Sequence, residues 1–138
     1  MFKRLASVFL CLLCLSSVCY FNKTPIFSNY SPKLELYIGA PNSTAQIITV
    51  NSKEVPLFSN VCGEAFTTCK NTFKLNEFLQ NFSAKIIFTE SLEQGVCYYA
   101  YSNKIKYNQT VNDKKVNIQV FIGEQTVKVG SPIICGSF

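Results

Sequence analysis

Strict alternation of side chains in the second half of the chain restricts the possible folds more than any other feature. In residues 116–122 every second position is valine or isoleucine, and Asn117, Gln119 and Phe121 lie between them. Because successive side chains of a β-strand point to opposite faces, this pattern predicts a strand with one apolar and one outward-facing side. Such a strand needs a sheet whose apolar face is covered by a second layer.

Further strands are predicted by the same pattern. They span residues 33–39, 44–50, 84–90, 95–101, 105–111, 114–122 and 126–129, and residues 61–69 form either a short strand or a bend around Gly63. The connections between neighbouring strands are short, which predicts antiparallel pairing.

One helix is predicted between these strands. Leu75, Phe78, Leu79 and Phe82 follow helical spacing and form one apolar stripe. A helix this short is marginal alone and must pack on the sheet. The predicted fold is therefore α+β: a curved antiparallel sheet of about five to seven strands with one helix on its apolar face.

The N-terminus predicts export. Lys3 and Arg4 precede an uncharged apolar run over residues 5–21. A basic segment followed by an apolar one is typical of a secretory signal, and this run also reaches the lower length limit of a membrane-spanning helix. Residues 1–21 are therefore predicted to be a cleaved signal peptide or an N-terminal membrane anchor. The protein would be secreted or held on the extracytoplasmic side, touching the membrane only through this segment.

The rest of the chain is predicted to form one domain. Residues 22–32 carry polar residues and two prolines without a sustained period, which predicts a linker, and residues 33–138 have the length of a single domain. The net charge of +5 includes Lys3 and Arg4, which leaves +3 on the exported part. This mild positive balance favours an anionic envelope component or another protein as the partner. It is too small and too scattered to predict nucleic-acid binding.

Four cysteines follow the leader, at Cys62, Cys69, Cys97 and Cys135. In an oxidising compartment they allow three pairings, and Cys62 with Cys69 would close a short loop and is the candidate disulfide. The alternative is that some or all are small buried hydrophobic residues. Their spacing does not fit a four-cysteine zinc site, which needs close ligand pairs.

Five Asn-x-Ser/Thr triplets are present. They begin at Asn22, Asn29, Asn42, Asn81 and Asn108. In a eukaryotic secretory protein they would accept glycans, which keeps a disulfide-bonded secreted glycoprotein open as an alternative. A composition rich in asparagine, serine and threonine also produces such triplets, and we favour that explanation.

Little catalytic chemistry is available. The chain has no histidine, which removes the commonest general base and excludes Ser-His-Asp and Cys-His arrangements within it. The closest carboxylates, Glu90 and Glu93, flank a predicted turn, so a small secreted hydrolase using carboxylates or a cysteine is the minor alternative. No glycine-rich phosphate loop is present. We expect a non-catalytic protein without a cofactor or a metal site.

An aromatic and basic group lies in the second half of the chain. Its members are Tyr99, Tyr101, Lys104, Lys106 and Tyr107. Tyrosines beside lysines can hold a glycan or single-stranded nucleic acid, but tyrosines are also common in strands where they half-bury their rings. This group is the candidate binding surface.

Four segments between Asn76 and Phe138 together resemble a known family. They are the helix segment Asn76-Glu-Phe-Leu-Gln-Asn-Phe-Ser-Ala-Lys-Ile-Ile-Phe88, Tyr98-Tyr-Ala-Tyr-Ser102, Val116-Asn-Ile-Gln-Val120 and Val127-Lys-Val-Gly-Ser-Pro-Ile-Ile134. In this order they resemble the C-terminal pattern of the YwmB family of exported proteins from spore-forming Firmicutes, and the resemblance covers about half of this chain. The resemblance implies a TATA-box-binding-protein-like fold, a shape that does not by itself imply DNA binding. It also implies an exported, envelope-associated role linked to sporulation, and it supplies no catalytic residue.

Overall fold

The computed structural model describes residues 24–40, 42–55 and 60–136. Within these ranges there is one α-helix, α1, at Leu75–Asn81, preceded by a 3-10 turn at Lys70–Thr72. The strands are β1 Lys33–Ile38, β2 Gln46–Asn51, β3 Val61–Cys69, β4 Lys85–Leu92, β5 Gly95–Tyr101, β6 Gln109–Val111, β7 Lys114–Val116, β8 Ile118–Ile122 and β9 Thr126–Ser131. The predicted leader lies outside the described residues. None of the helices in these ranges is long and apolar enough to cross a bilayer.

Seven strands form one antiparallel sheet. Their order is β2-β1-β3-β9-β8-β5-β4, and β6 and β7 pair separately as a hairpin. The predicted α+β fold, an antiparallel sheet with one helix, is confirmed. The segment for which either a strand or a bend was expected is a complete strand, β3, which pairs with β1 on one side and β9 on the other.

The main core lies between one face of the sheet and α1. The helix buries Phe78 and Leu79 against that face, as the apolar stripe predicted. The buried residues of this main core are Phe27, Leu34, Leu36, Phe66, Phe78, Leu79, Ala100, Ile105, Ile118, Val120, Val127 and Val129. Alternate residues of β1, β8 and β9 therefore point toward the helix, as their period of two requires.

The segment before β1 belongs to this core, and the predicted linker over residues 22–32 is wrong for the residues from 24 onward that the structure describes. Phe27 is completely buried. Its ring centroid lies 5.2 Å from that of Phe66 and 5.8 Å from that of Phe82. Prolines and polar residues surround Phe27 in the sequence, so a single apolar anchor without a period was not recognised as part of the domain.

The opposite face of the sheet is also covered, which contradicts the outward orientation predicted for Gln119. Gln119 and Phe121 are buried, because the residues that follow β9 fold back across this face. The Gln119 side-chain oxygen accepts a hydrogen bond of 2.9 Å from the backbone N–H of Ile134. Two smaller clusters fill this face, one around Cys97, Tyr99, Val116, Phe121 and Ile134 and the other around Tyr37, Ala65 and Cys135.

Asn117 explains why two predicted strands are shorter than expected. It is buried between β7 and β8 and interrupts the predicted strand 114–122. Its oxygen accepts from the N–H of Ser102 at 2.8 Å, and its nitrogen donates to the carbonyls of Ser102 and Ile105. Residues 102–108 therefore form a loop held by Asn117, and only the last three residues of the predicted strand 105–111 are extended.

We expect Asn117→Ala to lower the free energy of unfolding by about 2 kcal/mol, because it leaves buried backbone groups without their partner. Urea unfolding followed by circular dichroism measures this change. Asn108→Ala is the matched control, since Asn108 is exposed and bonds only locally to the Lys106 carbonyl. Equal losses in the two variants would contradict the anchoring role of Asn117.

Candidate functional site

The structure places Tyr99 inside the protein. Its ring stacks on Phe88 with centroids 4.3 Å apart, and its hydroxyl donates to Glu90 at 3.1 Å. The Gln119 amide in turn donates to the Tyr99 hydroxyl at 3.3 Å. Burial raises the pKa of Tyr99 well above its usual range. Tyr99 is thus a packing residue that links the sheet to its covering tail.

Three other members of the predicted group lie elsewhere. Tyr107 packs against the main core, and its hydroxyl donates to the Val61 carbonyl at 3.2 Å. Lys104 donates to the Asn81 carbonyl at 3.2 Å and so satisfies a carbonyl at the end of α1. Lys106 is exposed on the loop between them. The five residues therefore do not form one surface.

Tyr101 is the member that does belong to an exposed aromatic and basic group. The Lys115 ammonium lies 5.6 Å from the centre of the Tyr101 ring, and the Lys114 ammonium lies 5.4 Å from that of Phe88. Both rings are half-buried and both lysines are exposed. We call Phe88, Tyr101, Lys114 and Lys115 the aromatic–basic surface.

A tight hairpin sets the positions of the two lysines. Asn112 and Asp113 both have positive φ, the backbone conformation of the two-residue turn that joins β6 to β7. Val111 and Val116 on the two arms pack into the cluster around Tyr99 and hold the hairpin on the sheet. The lysines that directly follow the turn therefore lie over the rings of β4 and β5.

A third lysine borders the same surface. Lys85 is exposed and is the cross-strand partner of Tyr101 in the β4–β5 pairing. Directly opposed residues of an antiparallel pair share a face, so Lys85 adds a positive charge on the Tyr101 side. Cations held near aromatic faces are a favourable arrangement, and ammonium groups left in water can still meet an anion.

Sequence reasoning missed Phe88, Lys114 and Lys115. It grouped lysines with tyrosines by distance along the chain, whereas the hairpin brings Lys114 over Phe88, 26 positions earlier, and Lys115 over Tyr101, 14 positions earlier. The Asn112-Asp113 turn followed by two lysines was the available indication, because such a turn projects the next residues over a neighbouring element.

The predicted disulfide between Cys62 and Cys69 is wrong. The two cysteines lie near opposite ends of the single extended strand β3. At about 3.3 Å per residue their Cα atoms are roughly 23 Å apart, whereas a disulfide needs less than about 7 Å. All four described cysteines are free thiols.

Three of these thiols are poor nucleophiles in this structure. Burial raises the pKa values of Cys62, Cys97 and Cys135, which disfavours the reactive thiolate. Glu90 lies near the end of β4 and Glu93 lies in the turn that follows, and both residues are exposed. No group of three or more potential metal ligands occurs in the part of the chain that the structure describes.

Glu64 is the one described carboxylate that is almost completely buried. It lies on the main-core face of β3 and accepts a hydrogen bond from the backbone N–H of Phe27. Burial raises the pKa of Glu64 to about 7, and hydrogen bonds from Phe27 and Ile26 partly oppose this rise. The carboxylate thus ties the segment before β1 to the sheet.

Comparison of the chain with protein-family models, with curated proteins and with solved structures found no match. The resemblance to the YwmB family stays a prediction, and the functional conclusion has to come from the geometry of the chain itself.

Proposed function

We propose that this chain is an exported, non-catalytic protein that binds a phosphate-bearing anionic component of the cell envelope through the aromatic–basic surface. The observation that carries the proposal is the placement of Lys114 and Lys115 over Phe88 and Tyr101, with both ammonium groups exposed. Lysine is a common binder of phosphate, and Lys85 beside the same surface adds to the attraction.

The absence of catalysis is supported by the residues themselves. The chain has no histidine, and burial raises the pKa values of three described cysteines, which disfavours the thiolate that a nucleophile needs. The apolar N-terminal run supports export. The YwmB resemblance supports an envelope location and extends the proposal to a role in sporulation.

The proposal predicts that Lys114→Gln with Lys115→Gln weakens binding to anionic ligands about thirtyfold, because each lysine near an anionic surface is worth about 1 kcal/mol. Co-sedimentation with phosphatidylglycerol vesicles and titration with soluble poly(glycerol phosphate) measure the two sources of phosphate separately. Loss in the vesicle arm alone identifies a lipid head group, and loss in the polymer arm alone identifies a wall polymer.

The matched control is Lys53→Gln with Lys70→Gln, which removes the same charge from exposed positions outside the surface. We expect this control to weaken binding less than threefold. Equal losses of affinity in the two double variants would show that only net charge matters and would contradict the proposed site. Tyr101→Ala is expected to reduce affinity as well, since it removes the ring beneath Lys115.

A further inference from the structure

Cys62 and Cys135 both belong to one packed cluster on the sheet face opposite α1. Cys135 is buried there with Tyr37 and Ala65, and Cys62 packs against the same cluster from β3. Cys97 belongs to the neighbouring cluster, and Cys69 is exposed at the far end of β3. Of the four described cysteines, these two alone share a cluster.

Tyr37 links the two cysteines from both of its ends. The Cys62 thiol donates to the Tyr37 carbonyl at 3.2 Å, and the Tyr37 hydroxyl accepts from the Cys135 N–H at 3.0 Å. Burial is the main cause of the raised pKa of Cys135, and electrostatic repulsion from Cys62 adds to it, which agrees with their shared cluster. Cys62 is half-exposed, so a small oxidant can reach one member of the pair.

We propose that Cys62 and Cys135 form a disulfide that fastens the C-terminal tail across the second face of the sheet. The reaction joins the two sulfur atoms and releases two protons and two electrons. A disulfide of the glutathione type accepts the electrons. The small ionised fraction of the half-exposed Cys62 attacks it and one glutathione thiolate leaves, and the ionised fraction of Cys135 then displaces the second, so the exchange is slow. This pairing differs from the Cys62–Cys69 pairing predicted from the sequence.

The tail after β9 is the element that such a bond would stabilise most. Residues after β9 cross the sheet, with Ile134 bonded to Gln119 and Cys135 to Tyr37. Gly130 fits only without a side chain, because a Cβ there would lie 2.7 Å from the Ile133 carbonyl oxygen. The tail is thus closely packed, and a bond at Cys135 would hold it against the sheet.

Peptide mapping tests the proposal on the full-length chain, reduced, purified in detergent and then exposed to oxidised glutathione. After digestion with trypsin, the disulfide would hold the peptides 54–70 and 129–138 together. Further cleavage after Glu64 would separate Cys62 from Cys69 and so identify the linked cysteine. We expect the Cys62–Cys135 link to exceed every other pairing of the four post-leader cysteines at least tenfold. In 8 M urea this excess should disappear, because the folded cluster brings the pair together.

Matched variants complete the test. Cys62→Ser should abolish the linked peptides and Cys69→Ser should leave them unchanged. The oxidised protein should melt about 5 °C or more above the reduced one, as expected for a bond closing a long loop. Absence of the link in the folded protein, or a lower melting temperature after it forms, would overturn the proposal. The mapping does not use the aromatic–basic surface, so its outcome is independent of the proposed function.

Discussion

Replacing Phe27 with alanine is expected to lower the free energy of unfolding by about 3–5 kcal/mol, the range for a fully buried phenylalanine. The ring has no exposed surface and lies within 6.0 Å, centroid to centroid, of Phe66, Phe78 and Phe82. Its removal would leave a cavity between the sheet and α1 that the short segment before β1 cannot refill. Urea unfolding monitored by circular dichroism measures the loss.

Phe73→Ala is the matched control for Phe27. Phe73 packs beside Phe78 with centroids 5.4 Å apart but is only half-buried. Its loss should cost less than half as much, because less apolar surface returns to water. A cost below about 1 kcal/mol for Phe27→Ala would restore residues 24–32 to the linker that the sequence predicted.

The periodic parts of the fold were predictable and the aperiodic parts were not. The stripe of α1 and the alternation along β1 and β8 follow directly from helical and extended geometry. Phe27 and the tail around Ile134 have no such period, yet each covers one face of the sheet. Their positions depend on long-range contacts, and a pattern along the chain does not report those contacts.

The second face shows the same limit at single residues. Gln119 alternates with apolar neighbours, so the pattern placed it in water. The tail instead supplies a backbone N–H that this amide accepts. A polar side chain can be buried in a core when it has a hydrogen-bond partner there. Whether Gln119 is buried or exposed therefore depends on where that partner lies in the fold.

The segments that carry the YwmB resemblance contact one another in the fold. Ser102 of the tyrosine-rich segment bonds to Asn117 of the Asn-Ile-Gln segment, and Gln119 of that segment bonds to Ile134 of the last one. These polar residues therefore join neighbouring elements. The two lysines of the aromatic–basic surface, Lys114 and Lys115, lie outside these segments and carry the proposed binding.

Stability is expected to fall by about 3 kcal/mol as the pH rises from about 4.5 to above 7, because of Glu64. Burial raises the pKa of this carboxyl from its unfolded value of 4.5 to about 7 in the folded protein. Below 4.5 both states hold the proton and the stability is at its full value. Between the two values only the folded state holds it, so each pH unit removes about 1.4 kcal/mol.

Urea unfolding at pH 5 and pH 8 measures about 2.5 kcal/mol of this loss, because part of it occurs below pH 5. The chain has no histidine, and the pKa of Glu64 lies inside that range. Burial raises the pKa of Tyr107 above the ordinary value for tyrosine, and the negative charge of Glu64 raises it further.

Glu64→Gln separates the carboxylate from other sources of pH dependence. The glutamine oxygen can still accept the Phe27 N–H, but the side chain no longer ionises. We expect the difference in stability between pH 5 and pH 8 to shrink to less than 1 kcal/mol, while Glu124→Gln, at an exposed position, keeps the full difference. A wild-type protein whose stability is constant or rises over this range would show that Glu64 is already ionised at pH 5, and the carboxylate would then lie in contact with water.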